Sequence, residues 1–213
     1  MAGIISLFMS STPQVPVSPL GPLDVTLSQV NYSLENRYDN TFVNDVFADN
    51  ILLTLAYMNG TVKQGEPISW ERVRTPFTYR LVLNPGEVFA FHEKVSEEYR
   101  DKEIVTTKAH FNSTEGFRSD GWLVGDGVCH LASFINVAAL KAELQVSAPT
   151  DHDFARIADV PKEYGVSIYY DPSGARNTQN QNLYITNNRD KKVAFVFRYR
   201  DNKLDIYVSE VVS

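Results

Sequence analysis

The chain has 213 residues, 43% of them hydrophobic and 22% charged, which is room for one generous domain with a sizeable core. Its formal net charge is -6, and its densest basic run (Arg189, Lys191, Lys192) is interrupted by Asp190. This argues against a nucleic-acid partner, whose phosphates need clustered cations. One cysteine excludes an internal disulfide and a cysteine-rich zinc module, and no apolar run approaches the ~18 residues of a membrane span.

Residues 1–9 (MAGIISLFM) are apolar but short and lack a basic start. They read either as the stub of a truncated signal or anchor, and so of a membrane tether, or as a frayed N-terminus. Residues 10–22 hold four of the ten prolines and several serines, the composition of an extended linker. The expected organisation is therefore a stub and linker over 1–22 and one domain over 23–213. Residues 42–58 carry the first helical pattern. Val43, Phe47, Ile51, Leu55 and Met58 recur at spacings of three and four, with Asp45 and Asp49 between them, and Asn59-Gly60 is a stop signal. Residues 61–76 read as loop with short extended pieces. Two strands follow, 79–83 and 88–91, flanking the turn residues Asn84-Pro85-Gly86-Glu87. The polar stretch 92–120 reads as long loop with a little strand, the kind of segment that often carries function.

Residues 131–144 are apolar on nearly every face, which predicts a central, covered helix. Strand patterns then occupy 166–170, 182–186, 193–199 and 204–212, the last three separated by hairpin-like loops at 187–190 and 200–203. Helices early and antiparallel strands late predict an α+β fold. Its buried central helix carries Cys129 at the N-terminus and packs on a mainly antiparallel sheet, with an additional helix before it.

The most informative window is Gly125-Asp126-Gly127-Val128-Cys129-His130. The glycines allow a sharp turn and close approach to a ligand, and the helix begins at once, so Cys129 falls in its first turn. There the free N–H groups and the macrodipole favour an anion, so a thiolate with a lowered pKa is the sharp expectation, and a small buried hydrophobe the bland one.

The run 125–140 (GDGVCHLASFINVAAL) resembles the signature of the VanW family. Asp49-Asn50-Ile51 with Asn59-Gly60-Thr61, residues 84–91, Asp151-His152-Asp153-Phe154 with Val160-Pro161, and 182–188 resemble further family segments, in order, over roughly 45–200. Residues 62–83 stand as an insertion between two of them. The chain departs from the family in having His130 where glutamine is usual, and no carboxylate at Gly165. The family takes its name from a vancomycin B-type resistance cluster. The resemblance therefore implies an extracytoplasmic protein of the bacterial cell envelope, with peptidoglycan or its peptides as partner.

Two main readings of the site stand open. In the first, Cys129 is the nucleophile, His152 its base and Asp153 the orienting carboxylate, with Asp151 and Ser167 as alternatives to Asp153. The element order is similar to transglutaminase-like and papain-type thiol enzymes, which act on amides and esters. Trp122, Gly125, Asp126, Gly127 and His130 would bind substrate, and Asp120 and Phe117 lie close by in sequence. In the second, the domain binds peptidoglycan or a partner without catalysis. A metal site on Cys129, His130, His110 or His152 is a minor third, because adjacent ligands such as Cys129-His130 lack the usual spacing. His92 and His110 read as surface or satisfied polar residues. No cofactor is expected.

Overall fold

A computed structural model describes residues 24–119, 121, 126–153 and 155–212. The 1–22 segment and the expected site residues Trp122 and Gly125 lie outside the described residues, as do Asp120 and Phe154. Chain order is β1 (Val25–Ser33), α1 (Thr41–Met58), α2 (Trp70–Arg74), β2 (Phe77–Leu83), β3 (Val88–Ala90), β4 (Ile104–Thr106), α3 (Val128–Lys141), β5 (Gln145–Ser147), β6 (Tyr184–Thr186), β7 (Val193–Arg200) and β8 (Lys203–Glu210). The strands form two four-stranded sheets, β1-β8-β7-β2 and β4-β3-β6-β5, antiparallel except for the β3–β4 pair. The fold is α+β, as expected.

Helix α1 starts where the Asn40 side chain accepts from the N–H groups of Phe42 and Val43, and stops at Asn59. From Val46 onward it is buried on almost every side. Asp45 stays exposed, but Asp49, one turn later, is buried against Arg74 and Arg118. Helix α3 lies on the first sheet. Ser28 of β1 donates to the carbonyl of Ala138 at 2.7 Å, and Tyr32 stacks on Phe134 with ring centroids 3.7 Å apart. Among the described residues no helix is long and apolar enough to cross a membrane.

Several expectations are corrected. Residues 61–76 contain α2, capped by the Ser69 side chain at the N–H of Arg72. The strands around Asn84–Glu87 pair with β7 and with β4 and β6, so the turn carries the chain from one sheet to the other. Residues 187–190 make the same crossing in reverse. Asn187 holds both crossings together: it is fully buried and donates to the carbonyls of Leu83 (3.0 Å) and Lys191 (2.8 Å). Of the two loops read as hairpins, the β7–β8 connection is one. Asp201 and Asn202, both at positive φ (52° and 55°), make a two-residue turn with Arg200 opposite Lys203.

Residues 166–170 form no sheet strand, apart from an isolated bridge between Val166 and Asp151. Their backbone groups go elsewhere, and that placement decides the character of the site.

Candidate functional site

Gly127 caps α3 in the left-handed region (φ 93°, ψ -16°), followed by Val128 and Cys129 in the first turn. The sharp turn is present, but the close approach it permits is to the protein itself. A Cβ at Gly127 would stand 2.5 Å from the carbonyl oxygen of Phe47 and 2.7 Å from its Cα. The turn is therefore where α1 and α3 touch backbone to backbone. Asn50 of α1 secures it, donating to the carbonyls of Asp126 (2.9 Å) and Arg118 (2.8 Å) and accepting from the N–H of Arg118 (2.9 Å). Asn50→Ala would leave three backbone groups without their partner, the Asp126 carbonyl in a buried setting and the two Arg118 groups part-buried. We expect a loss of about 2–3 kcal/mol, read as a lower urea midpoint, together with faster amide exchange at Arg118.

Cys129 is buried. The 166–170 segment lies across the helix start, and the thiol accepts from the N–H of Ile168 (3.4 Å) and donates to its carbonyl (3.7 Å). One turn on, Ser133 accepts from the N–H of Val166 (2.9 Å) and donates to the carbonyl of Cys129 (2.7 Å). Burial pushes the Cys129 thiol up to about 11, against the lowering influence of the Ile168 and Cys129 N–H groups, and nearby Asp126 adds to the rise. The expected ionised, exposed thiol is thus corrected. Desolvation outweighs the helix end, because covering the N-terminus with protein removes the water that would solvate a thiolate.

His130, the next residue, is buried. Its ring meets Phe47 edge-on at 4.9 Å and lies 6.4 Å from the His152 ring. Nδ1 is buried with no hydrogen-bond partner among the described residues. Burial holds its pKa down at about 3, helped by the charge of Arg37 and by His152. The Arg37 side chain is itself fully buried, paired with Asp159 at 2.8 Å and stacked over Phe134.

His152 and Asp153 lie on the wall of an open cleft of about 500 Å³. The cleft is built from the 152–165 loop and also lined by Arg156, Pro161 and Lys162. The loop is anchored by the His152 N–H on the Gly165 carbonyl (3.0 Å) and by Asn136 of α3 on the Tyr164 carbonyl (2.9 Å). The structure thus groups His152 and Asp153 on one surface and places Cys129 beneath Ile168. Asp126 and His130 are buried. Arg156 and Lys162, which sequence reading did not single out, supply this cleft's cations.

The two remaining histidines differ from each other. His92 is buried, its Nε2 3.0 Å from the Gln181 carbonyl and its Nδ1 accepting from the N–H of Lys94 (3.2 Å). Burial holds its pKa down at about 4. His110 sits at the surface edge with Nδ1 2.6 Å from the buried carboxylate of Glu115 and its ring against Tyr170. No local spacing signals that pair, because it is made by an irregular loop. Among the described residues no group of three or more His, Cys, Asp and Glu side chains is gathered as a metal ion needs.

The family model described as VanW like protein matches residues 72–209, a span that holds α3, Cys129 and the 152–165 cleft. The chain belongs to the VanW-like family. No curated protein and no solved structure matches it. Within this VanW-like domain the segments that carried the resemblance do structural work at several points. Asn50 ties α1 to the glycine turn. Asn182 accepts from the N–H of His92 (3.1 Å) and donates to its carbonyl (3.0 Å), and Asn187 joins the sheets.

Proposed function

We propose that this VanW-like domain is a binding module of the cell envelope that holds peptidoglycan peptides in the 152–165 cleft without cleaving them. The observation that carries this reading is the state of Cys129. A thiol buried beneath Ile168, engaged on both sides by its backbone and pushed up by desolvation, is poorly placed for nucleophilic attack, which supports the binding reading. The cleft suits a peptide of mixed charge. Arg156 and Lys162 offer cations for carboxylates, Asp153 offers an anion for an amine, and Ile157, Val160 and Pro161 offer apolar surface. The envelope setting and the peptidoglycan partner rest on the family resemblance. The competing thiol-enzyme reading requires the 166–170 segment to lift away from α3.

Two measurements separate the readings. Iodoacetamide at pH 7.5 should leave the folded protein unlabelled and modify Cys129 only as urea unfolds it. Muropeptides incubated with wild type should be recovered intact by mass spectrometry. In titrations, the double variant Arg156→Gln, Lys162→Gln should bind them at least about tenfold more weakly than wild type. Product formation by wild type and none by Cys129→Ser would replace the binding reading with the enzymatic one.

A further inference from the structure

A second cleft, of about 420 Å³, opens between α1, from Phe42 to Leu52, and the β7–β8 hairpin, on different elements from the 152–165 loop. At its floor the buried Asp49 carboxylate receives three guanidinium hydrogen bonds. Arg74 gives two from its Nε and Nη2 fork, both at 2.8 Å, and Arg118 gives one from Nη1. Both guanidinium groups also lie over the same Trp70 ring, at 5.3 and 5.5 Å from its centre. Each arginine is thus fixed by a carboxylate and by an aromatic face, while 50% of the Arg74 side chain and 41% of the Arg118 side chain remain exposed.

One carboxylate needs one cation. The floor has two, so it carries one formal positive charge in excess. It also has guanidinium N–H groups that Asp49 does not use: Nη1 of Arg74, and Nε and Nη2 of Arg118. These donors, on side chains already fixed, can serve a second carboxylate. The cleft is not simply basic. Asp45 stands on its rim, exposed, four residues or about 6 Å along the axis before Asp49 on the same face of α1. Its charge reaches Arg74 across the opening. Phe42, more than half exposed, adds an apolar wall.

A cation fork, an anion one turn away and an apolar wall between solvent and floor match one ligand chemistry. We infer that this cleft binds a small zwitterion of the α-amino-acid type. The ligand's carboxylate lies on the free edges of Arg74 and Arg118, its ammonium at Asp45 and its side chain against Phe42. Trp70 lies just before the family match and Arg74 and Arg118 lie within it.

The test uses the full chain, followed by the Nε–Hε resonances of Arg74 and Arg118 in NMR titrations with alanine, acetate, methylammonium and inorganic phosphate. Alanine should shift both resonances, with acetate and methylammonium each at least about tenfold weaker. Arg118→Gln should abolish the response at Arg74. Asp45→Asn, a change at an exposed position that leaves the fold intact, should bring alanine down to the level of acetate. The inference is overturned by phosphate or acetate binding as tightly as alanine, by an Asp45→Asn variant that binds alanine unchanged, or by no shift with alanine at tens of millimolar.

Discussion

Acidification from pH 7 to pH 4 should remove about 3 kcal/mol of folding stability through His130 and about as much again through His92. Both rings are buried and neutral in the fold, with pKa values held down at about 3 and about 4 by desolvation, against 6.5 for the free side chain. Above pH 6.5 folded and unfolded chains are alike in leaving both rings neutral, and the full stability is present. As pH falls below 6.5, the unfolded chain takes up two protons that the folded chain refuses. Stability drops with each unit until pH reaches the folded values. For His130 the refusal has a visible cause: its surroundings are Phe47, Phe134, the neighbouring His152 ring and the Arg37 charge, none of which favours a second cation. Against the 5–15 kcal/mol of an ordinary domain, the combined loss is a large fraction of the total. Urea titrations at pH 7, 5.5 and 4 check this. His130→Leu should flatten about half of the pH dependence. His92→Asn, which keeps hydrogen-bonding groups beside Asn182 and Lys94, should flatten much of the rest. A urea midpoint that stays constant between pH 7 and pH 4 in wild type would show that neither ring is buried as described.

The two long helices and the closing hairpin were readable because each is set by local signals. These are the three-and-four spacing of α1, the unbroken apolar run of α3, and the Asp201-Asn202 turn. What stayed hidden is set by partners far along the chain. Asn84–Glu87 has the same turn chemistry whether the chain folds back on itself or crosses to another sheet. Buried Asn187, about a hundred residues later, makes it a crossing. Residues 166–170 alternate like a strand, but the N–H groups of Val166 and Ile168 are taken by the Ser133 and Cys129 side chains. Strand β1 escaped notice because its inward residues include Ser28, and its register slips between Thr26 and Ser28. The same distance effect governs the site. A glycine turn and a cysteine at a helix start are local facts and were legible. Whether that cysteine faces water depends on Ile168, 39 residues away, and the sequence window carries no trace of it. The cleft's Arg156 and Lys162 went unmarked because two cations in an irregular loop have no periodicity to betray them.

Replacing Gly127 by alanine should cost about 3–5 kcal/mol of folding stability. Two contributions add. An L-residue at φ 93° is strained, at roughly 1–2 kcal/mol. The second is steric: the new Cβ would sit 2.5 Å from the Phe47 carbonyl oxygen and 3.0 Å from its carbonyl carbon. These are backbone atoms in a helix buried on nearly all sides, so no side chain can swing aside, and α1 and α3 must part. Parting them disturbs the Asn50 hydrogen bonds to Asp126 and the Phe47–His130 contact together. Gly60 supplies the control, since it has a similar φ of 76° and open space within 4 Å of its would-be Cβ. Gly60→Ala should therefore show the conformational part alone, about 1 kcal/mol. Chemical denaturation of both variants reads the difference directly as the steric part of the α1–α3 contact. Equal losses at the two positions would mean that the helices do not meet backbone to backbone at Gly127. The glycine turn would then be open to a ligand after all.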